Sequence, residues 1–213
     1  MKSLKELKAG LKRGPTDCVG IDQGSTATKL VRLRRTGDEI TIVGAELISP
    51  PQPEITVPTR LRARIASLAT SSGRAVAKLL TSPGTIDETF EKTLERSLGL
   101  DNADDFRISY RVVVEGQGRA ESRALAVALP NEDADPLMQQ FASGVPVPCS
   151  LELSPLATLT AFEHGPVSTM LDDGVGLIDF GTTSTTLSMF NKGSLVLMRQ
   201  FDFGTKLVLD RVE

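Results

Sequence analysis

Two five-residue stretches carry the residue types that hold phosphate groups: Asp22-Gln23-Gly24-Ser25-Thr26 and Asp179-Phe180-Gly181-Thr182-Thr183. Phosphate oxygens are bound by backbone N–H groups gathered in a tight concave turn, and glycine allows the close approach such a turn requires. The hydroxyls of Ser25, Thr26, Thr182 and Thr183 add donors. A carboxylate at the strand end, Asp22 in the first copy and Asp179 in the second, can hold magnesium through its waters, since this cation keeps most of its hydration shell. Lys29 falls on the returning strand, where its ammonium can reach a phosphate as a point charge. One Asp-x-Gly turn is ordinary hairpin punctuation. Two copies with similar apolar flanks, 18–21 and 30–31 around the first and 175–178 and 186–189 around the second, point to a duplicated strand-turn-strand unit.

The elements around these turns follow from periodicity. Runs 18–21, 28–34 and 39–48 read as an antiparallel three-strand meander, and 174–179, 185–191 and 194–201 repeat it near the end of the chain. Residues 50–58, with Pro50, Pro51, Pro53 and Pro58, form a stiff extended connection. Residues 60–65 alternate with period two, yet Leu61, Ile65 and Leu68 also share a helical face; the strand reading is slightly preferred, with Arg60, Arg62 and Arg64 as a charged outer face or an anion site. A strand follows over 74–81. The clearest helix runs over 87–98, with Phe90, Leu94 and Leu98 spaced by four, Asp87 as N-cap and Gly99 as its stop. A hairpin is expected from 106–115 and 122–129, a short helix at 135–142, a strand at 147–153, and a helix over 155–163 begun by Ser154 as cap and Pro155 in its first turn.

Composition excludes some classes. With 213 residues, 40% hydrophobic content and a net charge of -3, the chain can build a core, and nothing global points to nucleic acid. Its two cysteines, Cys18 and Cys149, make neither a disulfide framework nor a metal cluster, and are expected to be small buried residues in a reducing compartment. No apolar run is long enough for a membrane span, and the N-terminus lacks an apolar signal core. Residues 1–13 carry five basic side chains against Glu6, with Leu4, Leu7 and Leu11 at helical spacing. This reads as a short amphipathic helix, either solvated or resting on an acidic membrane surface or partner. His164 is expected to answer a helix C-terminus.

On these residues the chain resembles the actin-like ATPase superfamily, and within it the branch of the type IV pilus assembly protein PilM and the division protein FtsA. Residues 20–30 look like the first phosphate motif and 178–187 like the second, the latter followed by a hairpin and by Phe203-Gly204 leading into a helix. The resemblance covers about residues 17–213. It implies an α/β fold: an actin-like, ribonuclease H-like lobe with a mixed sheet, carrying an inserted small α+β subdomain, and an incomplete second lobe. The divisions expected are a basic segment at 1–16, the first lobe at 17–83, the insertion at 84–150, a return to the first lobe at 151–172, and the start of the second lobe at 173–213.

The resemblance implies ATP with Mg2+, contacted by Asp22, Gly24, Ser25, Thr26, Lys29, Asp179, Gly181, Thr182 and Thr183, with Asp22 and Asp179 at the metal. Three departures temper it. Ser154 stands where hydrolysing relatives commonly carry a water-orienting glutamate, and Glu152 two residues upstream reads as an ordinary exposed acid. A helix expected between the third strand and the strand near Arg74 is replaced by the proline stretch. The adenosine motif of the family has no counterpart, and the chain reaches Glu213 in what reads as an amphipathic helix, so a fragment of a longer protein is expected. No catalytic residue is assigned, and weak ATPase activity is the most the residues allow. The implied role is a cytoplasmic scaffold at the inner-membrane face of a pilus or secretion assembly, with ATP as a structural ligand. Its implied partner is the cytoplasmic tail of a PilN-like inner-membrane protein, with self-association open and membrane contact only peripheral. The alternatives are an adaptor without nucleotide, like the cytoplasmic domain of GspL, and an FtsA-like division protein.

Overall fold

The computed structural model describes residues 16–52, 54–116, 120–141, 144–165, 169–170, 172 and 174–212; the helix expected over 1–13 lies outside them. The chain divides into two compact units, Met1–Ala69 with Met138–Leu151 and Thr70–Leu137 with Glu152–Glu213.

The first unit is built on the expected meander, β1 (Asp17–Gln23), β2 (Thr28–Thr36) and β3 (Glu39–Ile48), paired antiparallel. Two strands from later in the chain, β4 (Ile65–Thr70) and β8 (Val147–Leu153), complete a five-stranded sheet in the order β3-β2-β1-β4-β8. Alternation in β1 sends Val19 and Ile21 into the core, beside Leu30 of β2. The slightly preferred strand over 60–65 is corrected: Thr59–Leu61 is a 3-10 turn, and the strand begins only at Ile65. The reason is that the alternating residues there are charged. Leu61 alone is fully buried, while Arg62 and Arg64 point to solvent and Arg60 pairs with Glu46 at 2.8 Å.

At the start of β1, Asp17 accepts from Arg32 Nε at 2.9 Å and Arg32 Nη2 at 2.5 Å. These hydrogen bonds hold the Asp17 carboxyl below the usual carboxylate range, since they favour its charged form. A lowered folded pKa means that the contact stabilises above the unfolded value and is lost as pH falls through the folded one. We therefore expect the stability gap between the native chain and Asp17→Asn, measured by urea unfolding, to be full at neutral pH and to shrink as pH falls below the ordinary carboxylate range.

The second unit surrounds a three-stranded sheet in the order β5-β7-β6, with β5 (Val76–Pro83), β6 (Phe106–Val114) and β7 (Glu121–Pro130). Central β7 is apolar on both faces because each face is covered. Ala124, Ala126 and Ala128 receive Phe90, Leu94 and Leu98 of helix α1 (Glu88–Leu98), and the small alanines let the helix lie close. Asp87 caps α1 by accepting from the Thr89 and Phe90 N–H groups at 2.9 and 3.3 Å. Gly99 ends it at φ 78°, a left-handed conformation that suits glycine. On the other face Leu125 joins Leu159 of helix α3 (Ser154–His164) and Phe190, Leu195 and Met198 of the repeated meander. That meander is β9 (Gly174–Phe180), β10 (Thr185–Asn191) and β11 (Ser194–Phe201), with β10 in the middle.

Three further expectations are corrected. The helix placed at 135–142 is α2 (Asn131–Gln139), with Pro136 inside it. It starts at the end of β7, where Glu132 and Asp133 complement its N-terminal dipole and Ala134 and Leu137 are buried. Ser154 is not the cap of α3 but its first residue; β8 runs straight into the helix, Leu153 takes the cap position, and no side chain caps it. Cys149 is exposed and Cys18 only half-buried. Burial pushes the Cys18 thiol up, and neighbouring Cys149 adds to this, so Cys18 is a poor nucleophile. His164 is the last residue of α3, as expected.

Candidate functional site

The two Asp-x-Gly turns, each within its own unit, share one hydrogen-bond scheme. In the first, the ladder between β1 and β2 closes on the pair Gln23 and Thr28, and the Gly24 N–H donates to Ala27 O at 3.0 Å. In the second, the ladder between β9 and β10 closes on Phe180 and Thr185, and the Gly181 N–H donates to Ser184 O at 3.0 Å. Each is thus a four-residue loop, 24–27 or 181–184, closed by the same glycine bond, with the aspartate one ladder pair earlier. The loops owe this tightness to glycine. A Cβ on Gly24 would stand 3.0 Å from Ala27 O, and one on Gly181 would stand 2.8 Å from Ser184 O.

The side chains then differ. Asp22 lies opposite Lys29, whose ammonium donates to Asp22 Oδ2 at 2.7 Å. The lysine is exposed and the carboxylate largely covered, so the charge pair sits at the mouth of the turn. Ser25 and Thr26 are exposed beside it, and Ser49 Oγ donates to Thr26 O at 3.1 Å, which fixes the loop from outside. Thr28 is buried and its hydroxyl has no partner. In the second copy, Asp179 lies opposite the buried Thr186 instead of a lysine. Thr183 is exposed and Thr182 half-buried.

The second turn also carries a device that the residue types alone did not reveal. Helix α4 (Thr205–Leu209) begins on it: the Thr205 and Lys206 N–H groups donate to Gly181 O and Thr182 O, both at 3.0 Å. Gly204 lies so close beneath that a Cβ there would meet Thr182 O at 2.3 Å. Thr185 Oγ1 donates to Phe203 O at 2.5 Å, and the Phe180 and Phe203 rings lie 5.6 Å apart. The signal was Phe203-Gly204-Thr205 itself, a glycine directly before a helix start. The glycine-closed loops, their exposed hydroxyls and their strand-end carboxylates are a donor set that fits phosphate and hydrated magnesium. Ser154 receives a hydrogen bond from Ser71 Oγ at 3.1 Å, and Glu152 is exposed. Among the described residues no cluster of three or more metal-ligating side chains occurs, and no helix is long and apolar enough to cross a membrane.

The mixed-sheet α/β architecture is an actin-like ATPase fold, as its likeness to solved structures shows. Among solved structures, the PilM-PilN type IV pilus biogenesis complex is similar to this chain with a TM-score of 0.75 at 16% identity, over 92% of the chain. The chain spans 65% of the length of that structure. A protein of Bacteroides thetaiotaomicron described as having an actin-like ATPase fold and unknown function is similar at a TM-score of 0.56 and 10% identity, over 100% of this chain and 77% of its own. The cytoplasmic domain of EpsL, an inner-membrane component of the type II secretion system of Vibrio cholerae, gives 0.46 at 8% identity, over 87% of this chain and 70% of its own. No protein-family model matches the chain, and no curated protein does.

Proposed function

We propose that this chain belongs to a cytoplasmic actin-like scaffold of a type IV pilus or related secretion assembly, one that binds ATP mainly as a structural ligand and docks the cytoplasmic tail of an inner-membrane partner. The observation that carries the nucleotide half is the repeated loop closure, Gly24 N–H to Ala27 O and Gly181 N–H to Ser184 O. Gly24, Ser25 and Thr26 in the first turn and Gly181, Thr182 and Thr183 in the second would contact phosphates, while Asp22 and Asp179 would hold magnesium through its waters. Lys29 would exchange Asp22 for a phosphate oxygen. Bound magnesium supplies charge that offsets the triphosphate, and the ligand in turn stabilises the folded state it binds. The pilus half rests on similarity to PilM and is a proposal about the whole protein.

Hydrolysis is expected to be weak at most. Phosphoryl transfer depends on positioning and on charge stabilisation from several sides, and Ser154 offers a neutral hydroxyl where a carboxylate would orient water. The Lys29–Asp22 pair favours a second reading, an adaptor without nucleotide, since each charge already has its partner at 2.7 Å. Thermal melting of the full-length protein separates the two. At magnesium-ATP about a hundredfold above its Kd, binding should stabilise by about 2.7 kcal/mol, and Asp22→Ala or Asp179→Ala should remove the shift. Calorimetry with no heat of binding at millimolar ATP would select the adaptor.

A further inference from the structure

At the end of the first unit's sheet, away from the Gly24 loop, a groove of about 770 Å³ opens between the start of β1, the segment before β4 and the start of β8. Arg32, Arg62 and Arg64 line it against one carboxylate, Asp17, a local balance of 3 - 1 = +2 in a chain whose net charge is -3. The three guanidiniums are not equivalent. Arg32 is spent on Asp17 and on Arg60 O, at 2.5 to 3.3 Å. Arg62 donates only its Nε, to Val57 O at 3.4 Å, which steadies the stem, and Arg64 has no side-chain partner among the described residues. Both are exposed, and Arg62 has an extended backbone at φ -63° and ψ 131°. Val145 and Val147, 69% and 54% exposed, supply apolar surface in the same groove.

We propose that this groove docks an extended acidic peptide segment of a partner protein, with carboxylates two residues apart gripped by Arg62 and Arg64 and the alternate aliphatic side chain laid on Val145 and Val147. Residues two apart in an extended chain project to one side at a spacing of about 7 Å, on the peptide as on the arginine segment. Guanidinium forks suit carboxylates because two parallel N–H donors meet two oxygens. Recognition falls to side chains, since simple strand addition is hampered at this edge. The Val147 N–H is spent on Arg64 O at 2.8 Å, so residue 148 faces outward, and Pro148 has no N–H to give. The inference rests on the partner-docking half of the proposed function and is independent of nucleotide.

The test is fluorescence anisotropy on the full chain without nucleotide, using a labelled hexapeptide of alternating aspartate and valine and its asparagine-valine counterpart. The aspartate peptide should bind, should weaken as salt rises from about 0.05 to 0.5 M, and should lose about tenfold or more in affinity in Arg62→Gln/Arg64→Gln. Val145→Ser/Val147→Ser should weaken it with the salt dependence kept. Equal binding of the asparagine peptide, or affinity unchanged in the arginine variant, overturns the proposal. So does arginine-dependent sedimentation with phosphatidylserine vesicles in the absence of peptide binding. The magnesium-ATP thermal shift is read separately, so failure of one leaves the other standing.

Discussion

Phe190→Ala is expected to lower the unfolding free energy of the second unit by about 3–5 kcal/mol, the usual cost of emptying a well-packed aromatic site. Phe190 is among the largest fully buried side chains, and its ring lies 5.7 Å from that of Phe162 on α3. It also packs with Leu125 of β7 and with Leu195 and Met198 of its own meander. Loss of the ring therefore removes a wedge that joins a helix, a hairpin and the central sheet. Rigid neighbours on three sides limit collapse, which places the cost high in the range. Met189 next to it is 44% exposed, and Met189→Ala should stay within about 0.5 kcal/mol. Urea unfolding with a probe in the second unit reads both. A cost below about 1 kcal/mol for Phe190→Ala would mean that the meander does not rest on β7 as described. The consequence reaches the candidate site, because β9 and β10 carry the Gly181 loop and a loosened hairpin cannot hold it closed.

Much of this architecture is legible in the residues. Both glycine turns could be read because glycine and hydroxyls interrupt strand-forming runs twice in the same way, and α1 could be read because Asp87 and Gly99 bracket a clean apolar stripe. What failed to read locally was decided by packing. Residues 59–64 present one buried side chain, Leu61, and the arginines around it face solvent, which imitates a strand before the sheet is joined at Ile65. Ser154 carries a capping hydroxyl, yet β8 delivers the chain to α3 already turning, so the cap position falls on Leu153. The run from Ala124 to Leu129 gives a strand plainly. It does not say that one face meets α1 and the other meets Phe190, because the partners come from residues 88–98 and 159–198. Cys149 reads as a core residue by type yet is exposed in β8, a strand of which Leu153 alone is buried.

Gly204→Ala is expected to destabilise the second unit by about 3 kcal/mol, at the upper end of overpacking costs. The backbone there has φ -148° and ψ -177°, which alanine adopts freely, so the cost is steric rather than conformational. An added Cβ would meet Thr182 O at 2.3 Å, Thr182 C at 2.4 Å and Gly181 O at 2.7 Å. These are main-chain atoms of the 181–184 turn, and no rotamer change relieves them. The methyl can fit only if the 181–184 loop moves off, which breaks the Thr205 and Lys206 N–H bonds to Gly181 O and Thr182 O. A loss of this size should lower the melting temperature by about 6–12 °C for a chain of this length. Gly176→Ala, in β9 with nothing within 4 Å of the new methyl, should be neutral or slightly stabilising by comparison. If Gly204→Ala melts with the native chain, Gly204 does not lie against the turn as described. If it melts low yet keeps a full magnesium-ATP shift, the second turn does not contact the nucleotide.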